Sequence, residues 1–201
     1  MPRTGGDETR RRLLAEATRA FGSKGYEATS LDEVAAAVGV RKQSLLYYFG
    51  SKDDLFQACV DEMSARVAEA LAEALEGVDE DAGDHPERVI RAIFRLAEEW
   101  PEFPGFVREA SWRGSEVVQR FSSVLEPLRK RALGYLERGM AEGRFRRQDP
   151  VLLLFTIYTA VVGSITEAGV LRAVGGKAGS RAALRRREEE LIRFVRAALQ
   201  P

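Results

Sequence analysis

The stretch from Leu31 to Phe49 carries the residues with the most chemistry to offer. Arg41, Lys42, Gln43, Ser44, Tyr47 and Tyr48 crowd together there. Their guanidinium, ammonium, amide and hydroxyl groups suit phosphate oxygens and the edges of bases. Side chains of this kind read a major groove only if a thin, rigid element holds them along one face. The surrounding pattern supplies one: Leu31, Val34, Ala35 and Val38 make an apolar stripe, Gly39 offers a turn, and Leu45 and Phe49 anchor a second short helix. That is the length and polarity of a helix-turn-helix, whose second helix presents its N-terminal residues to bases. Spacing alone fits equally a helical hairpin that only builds core.

The elements around this unit are helical as well. Apolar residues recur at helical spacing from end to end, and no alternating run of strand-forming residues is present, so the expected fold is all-α. Leu13, Leu14, Ala17 and Phe21 mark a first helix closed by Gly22 and Gly25. Ser30 followed by Glu33 reads as a capping box before the second helix, and Ser51 as the cap of a fourth helix reaching about Leu75. The acidic, Gly-containing stretch from Glu76 to His85 reads as a loop. Further helices are expected from Pro86 to Trp100, Phe106 to Trp112, Glu116 to Glu142, Asp149 to Val174 and Ser180 to Leu199, with a break at Pro101–Gly105.

Composition removes several classes of function. The chain has 201 residues, 31 basic and 31 acidic side chains, one His and one Cys. A single Cys closes no internal disulfide, and Cys59 with His85 cannot assemble a Cys/His metal site, so neither metal nor cofactor is expected. A catalytic triad would have to use His85, which sits beside Pro86 in a loop-like context. No paired-carboxylate signature points to an enzyme. The start of the chain runs into Asp7 and Glu8 rather than an apolar export segment, and the charge-free run from Val151 to Thr166 is too short to span a membrane. A cytoplasmic protein without membrane contact is the expectation. A net charge of zero gives phosphate no overall attraction, and residues 1–56, with nine basic and eight acidic side chains, hide no strongly basic domain. Placement must therefore matter: Arg41, Lys42 and Lys52 are expected on the DNA face, with Glu16, Glu27, Asp32 and Glu33 off it.

From Thr9 to Phe56 the chain resembles the TetR/AcrR family of transcriptional regulators. The match runs in order through Arg10, Leu13-Leu14, Phe21, Lys24-Gly25-Tyr26, Thr29-Ser30, Val34-Ala35, Val38-Gly39-Val40, Leu45 to Phe49, and Ser51-Lys52. The resemblance implies an N-terminal three-helix DNA-binding domain over 1–56 and a helical ligand-binding and dimerisation domain over 57–201. It also implies that Arg41, Lys42, Gln43 and Ser44 face base edges, that Thr29, Tyr47 and Tyr48 touch phosphate, and that Lys52 reaches phosphate from the start of the fourth helix. Leu46 and Gln43 depart from the family pattern, so the operator cannot be borrowed from a relative.

Beyond Gln57 the reading is physical. The stretch from Val151 to Leu171 is apolar on nearly every face and needs cover on both sides; a second copy of the chain, packed with the last helix, would form a four-helix homodimer interface. For any single one of Phe94, Trp100, Phe106, Trp112, Phe121 and Tyr158 plain core is the better reading, but as a set they suit a pocket for an apolar or aromatic small-molecule effector. The sequence thus points to a repressor released from a palindromic operator in double-stranded DNA by such an effector. A DNA-binding regulator without a ligand and an all-α enzyme are the rival readings.

Overall fold

The computed structural model describes residues 4–76 and 84–201, and among them every regular element is an α-helix. In chain order these are α1 (Thr4–Lys24), α2 (Leu31–Val38), α3 (Lys42–Phe49), α4 (Lys52–Ala74), α5 (His85–Glu99), α6 (Phe103–Trp112), α7 (Ser115–Ala141), α8 (Pro150–Thr166), α9 (Ala168–Ala173) and α10 (Arg181–Leu199). The expected loop over 76–85 falls largely on residues outside those described.

Local chemistry accounts for the boundaries. Ser30 Oγ accepts from Glu33 N at 3.1 Å, which starts α2. The other half of the expected capping box does not form, because the Glu33 carboxylate accepts instead from Lys24 Nζ at 3.2 Å. Gly39 ends α2 with φ 80°, a left-handed conformation that a side chain would strain, and Val40 N closes back on Ala35 O at 3.0 Å. Ser51 Oγ accepts from Asp54 N at the start of α4, and Asp149 accepts from Val151 N and Leu152 N at the start of α8.

Two expected boundaries move. The Pro-rich break at 101–105 is in part the beginning of α6, since Pro104 sits in its first turn, where a missing N–H costs nothing. The expected single helix from Asp149 to Val174 is interrupted at Glu167 (φ −95°, ψ 43°) and resumes as α9. Arg187 explains the interruption: its guanidinium donates to Ser164 O at 2.7 Å, taking the carbonyl that Ala168 N–H would bond in an unbroken helix.

The chain forms two compact units. The first runs up to Ala65 and adds Glu102–Ser123; the second comprises Arg66–Pro101 and Val124–Pro201. In the first, Leu13, Phe21, Val34, Leu45, Leu55 and Phe56 are fully or almost fully buried. Phe56 is its aromatic hub, edge-on to Phe21 at 5.1 Å and to Tyr26 at 5.4 Å and stacked on Phe106 at 5.2 Å. In the second, Ile90 and Phe94 of α5, Leu153, Val161 and Ile165 of α8, and Leu191, Val195 and Leu199 of α10 are buried. Arg91 of α5 pairs with Glu188 of α10 at 3.0 Å along the rim.

Cys59 belongs to the first core, its Sγ 3.8 Å from Leu14 O, and burial pushes its thiol up to about 12. Only the thiolate reacts, so the folded protein is expected to leave a thiol-specific chromogenic reagent uncoloured at pH 8 and to release one equivalent after denaturation. Rapid labelling of the native protein would contradict this burial.

Candidate nucleic-acid interface

Leu45 and Phe49, four residues apart, are buried and fix the inner face of α3. The remaining side chains follow from that anchorage. Arg41, Lys42, Gln43 and Ser44 are all exposed, Tyr47 is 85% exposed, and Tyr48 is half-buried with its ring edge-on to Tyr47 at 5.6 Å. Arg41 occupies the N-cap position in extended backbone, where its guanidinium, having only donors, cannot cap the first-turn amides and stays exposed. One end of α3 therefore presents a guanidinium, an ammonium, a carboxamide and hydroxyls along a single exposed edge.

Two arginines of α1 hold this unit in place. Arg12 Nη2 donates to Val38 O at 2.9 Å, satisfying a carbonyl at the end of α2 beside the turn. The Arg10 guanidinium stands 5.2 Å over the Phe49 ring at the end of α3. Arg11, between them, pairs with Glu8. All three arginines are exposed, and Arg10 and Arg12 brace the unit from the surface of α1.

The other expected contacts divide. Thr29 is turned inward: it is 2% exposed and its hydroxyl donates to Gly25 O at 2.8 Å, so the expected phosphate contact is corrected to a structural role in the loop before α2. Lys52 opens α4, with Nζ 3.3 Å from Glu27 O and 4.3 Å from the centre of the Tyr26 ring. The charge placement also needs correction, because Asp32 is not clear of the basic residues. Its carboxylate pairs with Lys42 Nζ at 2.8 Å, both side chains being exposed. That exposed pair is worth little to stability, and it lowers the positive potential offered to random DNA.

The six aromatics divide between the two units. Phe106, Trp112 and Phe121 belong to the first unit, and Phe94, Trp100 and Tyr158 to the second. Phe106 is fully buried against Phe56 as core, whereas Trp112 is 85% exposed. Phe94 is core of the second unit, Trp100 lies under the Arg66 guanidinium at 4.9 Å, Phe121 is half-buried, and Tyr158 is exposed on α8. A shallow depression of about 430 Å³ in the second unit is lined by Met140, Phe145, Arg146, Arg147 and Pro201 among others, and by none of the six. Among the described residues no cluster of three or more His, Cys, Asp or Glu could hold a metal, and no helix is long and apolar enough to cross a membrane.

A short helix, a glycine turn and a second helix with a polar exposed edge, braced by a third, define a helix-turn-helix DNA-binding regulator. Residues 13–59 match the family model described as bacterial regulatory proteins, tetR family. The transcriptional repressor AcnR of Corynebacterium efficiens is 31% identical over 152 residues, covering 73% of this chain and 73% of that protein. The chain belongs to the TetR family. Its fold is shared by the crystal structure of AibR in complex with isovaleryl coenzyme A and operator DNA, which is 18% identical with a TM-score of 0.76 over 93% of this chain and 97% of that one. The regulator FadR of Bacillus subtilis, in complex with stearoyl-CoA, is 16% identical with a TM-score of 0.75 over 94% and 99% of the two chains. The protein is accordingly a transcriptional regulator and not an enzyme.

Sequence reasoning missed three side chains that shape this unit: Arg12, Arg113 and Arg120. Arg113 of α6's C-terminal end pairs with Asp53 at 3.0 Å, and Arg120 of α7 holds Asp61 of α4, Nη2 to Oδ2 at 2.6 Å. Their partners lie about sixty positions away, beyond any local periodicity.

Proposed function

We propose that this chain is a homodimeric, effector-responsive repressor acting in the cytoplasm on a palindromic operator. Residues 1–56 read the DNA, and residues 57–201 dimerise and take the effector. Arg41, Lys42, Gln43 and Ser44 address base edges, while Tyr47, Tyr48 and Lys52 hold phosphates. The observation that carries this reading is the exposed polar edge of α3, spared from capping and braced from behind by Arg10 and Arg12.

The dimer is supported by uncovered apolar side chains on two helices of one unit. Leu152, Phe155 and Tyr158 of α8 and Phe194 of α10 are exposed, although α8 buries Leu153, Val161 and Ile165 on its other side. Apolar surface of that extent calls for a covering partner. The effector is proposed as a small molecule with an apolar or aromatic body; the CoA thioesters bound by AibR and FadR favour an acyl chain in that role.

Selection of binding sites from a random DNA pool tests the reading. The expected product is a palindrome with half-sites about one helical turn, roughly 34–36 Å, apart, bound by a dimer seen in sedimentation at micromolar concentration. A single unrepeated site, or a monomer on DNA, would overturn the homodimer. Adding acyl-CoA and aromatic acids to the complex should release the DNA, to the extent that they bind the DNA-free state more tightly. If none releases it or raises the melting temperature, the ligandless regulator is the better reading.

A further inference from the structure

We propose that Arg113 is a positioning residue for DNA binding, fixing through Tyr26 and Asp53 the place of the Lys52 ammonium at the head of α4. The proposal rests on the reading of Lys52 as a phosphate ligand. The arrangement lies wholly within the first compact unit. Arg113 closes α6, and its guanidinium centre stands 3.5 Å from the centre of the Tyr26 ring and 5.0 Å from that of Phe56. Its Nη2 donates to Asp53 Oδ1 at 3.0 Å. Lys52, the neighbour of Asp53 in sequence, stands over the same Tyr26 ring at 4.3 Å and on Glu27 O at 3.3 Å.

A lysine stem has four rotatable carbons and no fixed direction of its own. Here both contacts that direct it come from the loop residues Tyr26 and Glu27, and Arg113 is the group that pins that ring from α6. Arg113 acts a second time through charge. Asp53 is half-exposed in the first turn of α4, and with its carboxylate held by Arg113 it does not draw the adjacent ammonium away from phosphate. Without Arg113 the ring keeps its packing on Phe21 at 5.6 Å and Phe56 at 5.4 Å but loses its cationic contact, and the Asp53 carboxylate, released, draws on the neighbouring Lys52 ammonium. The rival account is that Arg113 only seals the aromatic core around Phe56, which would affect stability and leave the charge presented to DNA unaltered.

Salt dependence of operator binding separates the two, because each phosphate contact adds about 0.9 to the slope of log K against log salt. Lys52→Ala removes one contact from each subunit of the dimer and should lower the slope by about 1.8. Arg113→Met, which keeps apolar bulk and removes the charge, should lower it by the same amount; the double variant should fall no further, and Arg113→Lys should restore most of the slope. If Arg113→Met fails to fold, Tyr26→Leu, which leaves Arg113 and Asp53 to pair, carries the same expectation. An unchanged slope in Arg113→Met, or additive losses in the double variant, would overturn the proposal, additivity meaning that Arg113 meets phosphate itself. An unchanged slope in Lys52→Ala would instead remove Lys52 from the interface, and the positioning role with it.

Discussion

Arg41→Ala combined with Gln43→Ala is expected to abolish useful operator binding while leaving the fold intact. Both side chains are exposed on α3 and neither caps the helix, so their removal leaves no buried group unpaired and no cavity. The buried anchors of α3, Leu45 and Phe49, are untouched, and thermal melting should stay within about a degree of the parent protein, as for surface substitutions in general. A well-made base contact discriminates by about 1–3 kcal/mol, so losing two should weaken operator binding by on the order of 30-fold or more. Binding to a scrambled duplex should fall much less, since only one positive charge disappears. Lys42→Ala should have a smaller effect. Lys42 is already paired with Asp32, so its base contact starts from a partly neutralised ammonium, and its loss should weaken operator binding by less than the double change does. Titrations of the three proteins on selected and scrambled duplexes measure this directly. Operator affinity within about threefold of the parent for the double variant would place the reading surface elsewhere.

How much of this was legible in the sequence depends on the range of the interactions involved. The helix-turn-helix was readable because local signals set it: the Ser30 cap, the left-handed Gly39, and the anchors Leu45 and Phe49 all act within a few residues of their effect. The same holds for the caps at Ser51 and Asp149. What periodicity did not reveal was decided at long range. The interruption of α8 at Glu167 depends on a guanidinium 23 residues from the Ser164 carbonyl it takes, and the brace on α2 on an arginine 26 residues from Val38. Thr29 fits the family pattern for a phosphate contact, yet its hydroxyl finds a carbonyl acceptor four residues back, and burial follows. The aromatic set is less legible for a related reason. Composition reports how many rings a segment has and is silent on which of them, like Phe106, are claimed by a core built around Phe56. Net charge is silent in the same way, because an overall zero conceals that Asp32 sits against Lys42, whereas among the described residues Arg41 has no ion-pair partner.

The tightest steric constraint in the first unit is a crossing of two glycines, and Gly105→Ala is expected to be among the most destabilising single changes in the protein. Gly22 of α1 and Gly105 of α6 both have ordinary helical backbone, so intrinsic propensity alone would favour alanine at each by about 1 kcal/mol. Space reverses the sign. A Cβ on Gly105 would fall on the Gly22 carbonyl oxygen and within 2.9 Å of its carbon, and a Cβ on Gly22 would lie 2.6 Å from Glu102 O. In both cases the obstacle is main chain and cannot swing aside as a long side chain would, so one helix must move and unseat Phe106 from Phe56. Overpacking of this kind costs about 1–3 kcal/mol, and more where backbone must shift. At about 2–4 °C per kcal/mol for a chain of this size, Gly105→Ala should lower the melting temperature by roughly 2–12 °C. Gly163→Ala provides the contrast. Gly163 is also helical, and its added methyl meets nothing within 4 Å in the single chain, so the monomeric unit should be unharmed or slightly stabilised. Any loss seen there should appear in the dimerisation constant instead. A Gly105→Ala protein that melts at the parent temperature would mean that α1 and α6 tolerate separation, and that the clamp from Arg113 to Tyr26 must hold α6 without this close crossing.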